Sequence, residues 1–370
     1  MKILIDARSL GTKPSGIGMY IYYLVKELNT YEVINFTLIT DVINSEPMKE
    51  LKGLGIRILV FNKKVTESVS VLKYFKFVQS CIKQCKPDFF WEGNELSPIK
   101  LKNPYGLKIV TIYDVFPVSE PEQFYWLYRI YFKYGIKKTL NNFDLIIYDS
   151  MNAKKETEHY FPKAKLLKSF VGYIIIPRMP KRDIYDNGDF LYVGNLESRK
   201  GVDILLKAYK KYRQKGGRRN LRLAGKIQEK EIGQMIMSMQ EQVEGIKYLG
   251  YVTESQKVDE LATCHAFLFP SRAEGFGIPV VEAMNYNKPI IASNLDTLKE
   301  ITDSCINFFD LDKNVNASAD NLAIEMLKDV SAINEVAYDE VVGRYTAVNT
   351  GKRYFKLLET EYEKKNKRNN

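Results

Sequence analysis

Short apolar runs alternate with amphipathic stretches along almost the whole chain. "KILIDA" (2–7) precedes a segment that places Ile21, Leu24, Val25 and Leu28 on one helical face. "FTLIT", "IRILVF", a helical stretch around 66–86, "PDFFW", "KIVTIY", a helix around 121–141 and "DLIIYDS" follow. The runs are too short and too uniformly apolar for helices, and they read as strands buried on both faces. Alternation of such strands with helices predicts a parallel, doubly wound α/β sheet. The pattern breaks at "IIIPRMPKRDIYDNGD", which has prolines and mixed charges but no period. A second series then runs through "DFLYVG", a helix from about 201 to 214, "LRLAG", a helix around 229–243, "IKYLGY", a helix around 254–263, "HAFLFP" and "KPIIAS".

The expected organisation is therefore two Rossmann-like domains, 1–170 and 189–348, joined by a linker at 171–188. A helix and charged, frayed tail at 349–370 close the chain. Two such domains in tandem are expected to face a central cleft, with ligands at the carboxyl ends of both sheets. A length of 370 residues suits two domains, each with its own core.

Composition narrows the class. Hydrophobic residues at 45% and charged residues at 27% are ordinary for a globular protein. No apolar run approaches the roughly 20 residues of a spanning helix, and "MKILIDARSL" starts as a strand, so the expected location is the cytoplasm. Cys81, Cys85, Cys264 and Cys305 lack paired metal spacing and read as reduced thiols; with only His159 and His265 beside them, no metal site is expected. The formal charge of +10 falls mostly on the first 170 residues. An anionic membrane surface, nucleic acid and plain solubility are the three outlets for that excess. No nucleic-acid motif or concentrated basic stripe accompanies it, so no nucleic-acid partner is expected. The stretch "EQFYWLYRIYFKYGIKKTL" interleaves aromatic residues with Arg129, Lys133, Lys137 and Lys138, a pattern suited to the edge of a membrane.

Candidate chemistry concentrates in the strand-to-helix turns. "SRAEGFGIPVVEAM" (271–284) carries Glu274 and Glu282 around Gly275, Gly277 and Pro279. Proline suits the first turn of a helix, so the amides of Phe276, Gly277 and Ile278 fall at a helix N-terminus, where anions are favoured. Two carboxylates beside an anion site suit a ligand with both phosphate and sugar hydroxyls. The plainer alternative is a solvated helix glutamate and an ordinary loop carboxylate. In "YVGNLESRKGVDILLKAY", Arg199 and Lys200 precede a helix after a strand ending at Gly194, placing two cations where a diphosphate would sit. Gly16 and Gly18 in "GTKPSGIGMY" let backbone approach a ligand, but the third glycine of a dinucleotide fingerprint is replaced by Ile21. Asp310 and Asp312 in "FFDLDK" have D-x-D spacing but lead into a helix, and read as turn and cap residues.

Together these stretches resemble the retaining glycosyltransferases of family 4, which have the two-domain GT-B architecture. The resemblance covers nearly the whole chain, and Glu274 and Glu282 correspond to the family's E-x7-E motif. It implies that Glu274 contacts the donor sugar, that the amides around Phe276, Gly277 and Ile278 contact the phosphates, and that Glu282 holds the ribose. Arg199 and Lys200 would clamp the diphosphate in place of a metal, Gly16 and Gly18 would close over the donor, and backbone near Val252 would touch the base. Asn195 stands where many members have arginine, and Tyr113 where the family usually places histidine before Asp114. Tyr113 and Asp114 are the catalytic candidates beside Glu274. The implied activity is metal- and cofactor-independent transfer of a hexose, mannose among the candidates, from a nucleotide sugar to a glycan or lipid-linked glycan acceptor in surface-polysaccharide synthesis. A non-transferring accessory protein of the same fold is the main rival, because of Tyr113. An NAD-dependent Rossmann enzyme is disfavoured by the defective glycine fingerprint.

Overall fold

Each predicted strand of the first half becomes a strand, because its side chains find hydrophobic neighbours above and below one sheet. A computed structural model describes residues 1–370 except 12, 13, 15, 62, 64–67, 98, 329, 331 and 370. The chain divides into two units, 1–177 with 345–370 and 178–344.

The first unit holds β1 (Lys2–Asp6), β2 (Asn35–Thr40), β3 (Arg57–Val60), β4 (Phe89–Glu92), β5 (Leu107–Ile112), β6 (Leu145–Tyr148) and β7 (Lys168–Val171). They form one sheet in the order β3-β2-β1-β4-β5-β6-β7, every pairing parallel. The second unit holds β8 (Phe190–Val193), β9 (Leu221–Ala224), β10 (Ile246–Gly250), β11 (Ala266–Phe269), β12 (Ile290–Ser293) and β13 (Asn307–Phe309). Its order is β10-β9-β8-β11-β12-β13, again all parallel. Strand order reverses between β1 and β4 in one sheet and between β8 and β11 in the other. In doubly wound sheets such a switch opens a crevice at the carboxyl ends of the strands.

Three sequence-based boundaries change. An end at residue 170 cuts through β7, an edge strand whose residues are only half-buried beyond Lys168 and so show no apolar run. The expected linker 171–188 is tied to both units rather than free. The amide of Ile176 donates to the Tyr345 carbonyl at 2.8 Å within the first unit. In the second, Arg182 pairs with Asp259 at 2.6 Å, and Tyr286 donates its hydroxyl to Pro180. The tail does not fray: helix Ala347–Asn369 runs through it and packs on helix Gly16–Leu28 of the first unit. Tyr354 anchors it, its hydroxyl 2.7 Å from that of Tyr20 and its ring stacked on Trp91. Lys365 pairs with Asp88 at 2.5 Å. Among the described residues no helix is long and apolar enough to cross a membrane.

Candidate functional site

The crevice end of β8 and β11 gathers most of the candidate residues of the second unit. After β8 the chain turns through Gly194, Asn195 and a 3-10 turn, Ser198–Lys200, into helix Val202–Gln214. Gly201 makes the turn possible: its φ is +68°, and a Cβ there would overlap the Pro270 carbonyl oxygen just beyond β11. This close approach sets Lys200 beside the loop after β11, where its Nζ lies 2.6 Å from Oε1 of Glu274. Both are shielded, Glu274 being 7% exposed. Arg199 donates to Glu197 at 2.7 Å and to the Ala273 carbonyl at 3.2 Å. Arg272 clamps both carboxylate oxygens of Asp203, at 2.7 and 2.8 Å, so the loop after β11 is fastened to the first turn of the helix after β8. Asn195 turns aside, its side chain accepting from Gln228 and its carbonyl from Tyr192.

Gly277, at φ +98°, leads into helix Ile278–Met284 with Pro279 in its first turn. At this start the Val280 amide donates to the Gly277 carbonyl at 2.9 Å, and Pro279 has no N–H to leave unbonded. Phe276 is buried, and Ile278 is half-buried. Glu282 lies one turn further on and is 5% exposed, so neither glutamate is the solvated residue of the plainer alternative. Its Oε1 is 2.7 Å from Nζ of Lys257. Burial pushes the Glu282 carboxyl above the ordinary carboxylate range, and Lys257 pulls against it. Burial lowers Lys257 in turn, but its carboxylate partners outweigh that and hold it above the ordinary lysine value. Lys257 stands on helix Glu254–Thr263, whose start is fixed by a capping box between Thr253 and Gln256. The half-buried Val252 immediately precedes the cap.

The first unit brings Tyr113 and Asp114 to the carboxyl end of β5. Asp114 accepts the Phe116 amide at 3.0 Å. Tyr113 is 6% exposed, donates its hydroxyl to the Gly93 carbonyl at 3.0 Å and meets Tyr20 edge-on. Its one proton is thus engaged with the backbone after β4, which leaves the hydroxyl oxygen as an acceptor. Gly16 is exposed with open space around it, whereas a Cβ at Gly18 would overlap the Ser9 carbonyl oxygen. Gly18 therefore serves packing of the helix start on residues 8–10. Thr12, Lys13 and Ser15 of this loop lie outside the described residues.

Sequence reasoning missed several charged neighbours. Lys257, 25 residues upstream of Glu282, had no local signal. Glu95 and Asp149, after β4 and β6, join Asp114 at the adjacent strand ends. Burial first, then the Asp114 charge, raises both carboxyls well above the ordinary range. Their only sequence signal was their place just after apolar runs. Asp310 and Asp312 behave as turn residues: Asp310 accepts from Asn294 at 2.7 Å, and Asp312 accepts the Asn314 amide at 2.6 Å where helix Val315–Leu327 begins. Among the described residues no group of three His, Cys, Asp or Glu could hold a metal ion. A broad concavity of about 900 Å³, lined by Asp186, Arg219 and His265 among others, lies at the amino ends of β8 and β9 and contains none of the candidates.

Two doubly wound parallel units, one with paired charges at its switch point, define the GT-B class of α/β fold. Residues 179–331, nearly all of the second unit, match the model of the family Glycosyl transferases group 1. This chain is 32% identical over 128 residues to the O-antigen chain mannosyltransferase B of Escherichia coli, a match covering 34% of each chain. It is 29% identical over 178 residues to an uncharacterized glycosyltransferase of Methanocaldococcus jannaschii, covering 47% of this chain and 45% of that one. The matches thus span less than half the length of these relatives. Among solved structures, Anabaena HepE in complex with UDP and glucose superposes with a TM-score of 0.70 at 18% identity, covering 97% of this chain and 100% of that one. The lipopolysaccharide outer core galactosyltransferase WaaB gives 0.67 at 15% identity, with 97% and 99% covered.

Proposed function

We propose that this protein is a retaining, metal-independent hexosyltransferase that moves a hexose from a nucleotide-diphosphate sugar to a glycan or lipid-linked glycan acceptor in surface-polysaccharide assembly. The observation that carries the reading is the pairing of the half-buried Lys200 with the buried Glu274 at the switch point of the second sheet. Mannose is the first candidate sugar, because the E. coli relative is named a mannosyltransferase, and the sugar-nucleotide class follows the UDP in the HepE complex.

The second unit is the donor side in this reading and the first the acceptor side. Lys200 and Arg199 exchange their carboxylate partners for the donor diphosphate, and the charge that grows on the leaving phosphate is met by these cations and by amides at the start of helix Ile278–Met284. Release of Lys200 leaves the Glu274 carboxylate free to accept sugar hydroxyls near the reacting carbon. Glu282, held in place by Lys257, accepts the ribose hydroxyls. Retention follows from attack on the face the phosphate leaves, with that phosphate taking the acceptor proton. Asp114 orients the acceptor side.

The test is turnover of a panel of nucleotide sugars by purified protein, with and without a strong chelator. Transfer from at least one donor that persists under chelation is expected. Absence of turnover with every donor, despite tight nucleotide binding, would favour an accessory protein, and activity lost to chelator and restored by magnesium or manganese would overturn the cation-clamp mechanism.

A further inference from the structure

The helix Trp126–Leu140 of the first unit is anchored only by its second half. Its buried residues are Phe132, Gly135, Ile136, Thr139 and Leu140, and none of the six residues before Phe132 is buried. Trp126 is 63% exposed, Leu127 62%, Ile130 60%, and Tyr125, just ahead of the helix, 89%. A helix lying flat on a core or a membrane has one apolar stripe and one polar face. This one is apolar around its first turns, and its hydrophobic side chains stand in solvent, a costly display for a monomer unless something covers it.

Its charge says what covers it. No acidic residue occurs between Glu122 and Asp144, whereas Arg129, Lys133, Lys137 and Lys138 follow the aromatic tip and are all exposed. At 1.5 Å per residue, Lys133 sits about 10 Å and Lys137 about 16 Å behind Trp126 along the axis. Two recesses flank the helix. One, of about 310 Å³, lies between Pro117, Val118 and the side chains of Trp126, Arg129 and Ile130; the other, of about 450 Å³, lies between Lys137, Leu140 and residues Tyr160–Lys163. Lys133 borders both. Apolar walls with cationic rims suit hydrocarbon chains bearing anionic head groups.

We propose that this helix docks the protein on an anionic lipid leaflet tip-first and obliquely, its aromatic first turns entering the boundary between head groups and acyl chains while Arg129, Lys133 and Lys137 meet the phosphates. Aromatic rings favour that boundary, and each cation near an anionic surface strengthens binding roughly fivefold at moderate salt. The inference does not depend on transfer activity. It has a consequence for it all the same, because Pro117 and Val118, three and four residues after Asp114, line the recess beside Trp126. The membrane contact is therefore next to the acceptor-side strand ends.

The chain carries its own reporter. It has two tryptophans, and Trp91 is 1% exposed, its indole bonded to Thr111 at 2.9 Å, so emission that responds to surroundings comes from Trp126. Titration with phosphatidylglycerol vesicles at low salt should shift this emission to the blue, and bromine-labelled acyl chains should quench it. Phosphatidylcholine vesicles should do neither. The K133S/K137S double variant should bind phosphatidylglycerol vesicles at least tenfold more weakly with a shallower salt dependence, and W126A/I130S should lose vesicle binding while keeping its melting temperature within a degree or two. Vesicle binding without any change in Trp126 emission would overturn the proposal, as would equal response to both lipids. A blue shift that grows with protein concentration in the absence of lipid would assign the surface to a second copy of the chain instead.

Discussion

Glu274 and Glu282 are eight residues apart and nearly equally buried, yet each has its own cation from a different element: Lys200 after β8, and Lys257 on the helix after β10. Separate partners give separable roles. If the proposed function holds, Glu274→Gln keeps the shape but removes the charge placed nearest the reacting carbon, and should lower kcat by about a hundredfold with little loss of nucleoside diphosphate affinity. Glu282→Gln should leave kcat near normal and weaken nucleoside diphosphate binding by about tenfold or more, since charge-assisted hydrogen bonds to ribose are worth roughly 1.5–3 kcal/mol each. Calorimetric titration alongside steady-state kinetics separates the two, and wild-type affinity with wild-type turnover in both variants would remove these residues from the site. The same titration has a pH signature. Only the ionised Glu282 carboxyl is a pure acceptor for ribose, and burial raises the pH at which it takes up a proton. Nucleotide affinity should thus begin to fall, as pH is lowered, above the usual carboxylate range, and the glutamine variant should lack that limb.

The helix Glu254–Thr263 shows how an element places a residue the motif cannot. Thr253 accepts the Gln256 amide and Gln256 returns a side-chain bond to the Thr253 amide, fixing where the helix begins and hence where Lys257 points. Thr253→Ala should cost about 1 kcal/mol of stability and reduce nucleotide affinity together with it, while Thr253→Ser restores both; a melt and a titration on each variant decide it. Loss of stability without loss of affinity would detach the cap from the site. The element level also marks what could be read in advance. Strands β1, β4, β6, β8, β11 and β12 were legible because burial on both faces leaves short unbroken apolar runs. β7 and β13 were not, because Lys168, Ser169 and Asn307 leave strands of four and three residues with only two consecutive apolar positions. Glu274, Arg199 and Lys200 could be singled out in advance because their strand–turn–helix context lies within a few residues of each. The partners Lys257 and Glu95 come from elsewhere in the sequence, and only the packed sheet brings them in. That the Tyr113 hydroxyl donates to Gly93 was not legible, because a residue just past a strand does not declare which way its side chain turns.

At the scale of the molecule, the chain leaves the first unit at residue 177 and re-enters it at 345. Helix Ala347–Asn369 is structural to that unit: besides the Tyr20–Tyr354 contact, Phe355 stacks on Tyr31 with ring centres 4.3 Å apart, and Gly351 lets the helix pass close to Glu27. The fragment 178–344 should consequently unfold as one cooperative transition and bind nucleoside diphosphate on its own, whereas the chain cut after residue 344 should lose the transition of the first unit and regain it when a peptide of residues 345–370 is supplied. Calorimetric melting of the three samples checks this; an unchanged first-unit transition in the truncated chain would refute it. The same return path dictates an order of assembly during synthesis. The ribosome finishes all seven strands of the first sheet before it makes the helix that completes that unit, and it must produce the whole second unit in between. At about 5–20 residues per second, the interval is of the order of ten to thirty seconds. The half made first is therefore completed last. For that interval the surface around Tyr20, Trp91 and Tyr31 waits uncovered, which makes it the natural target for a chaperone on the nascent chain.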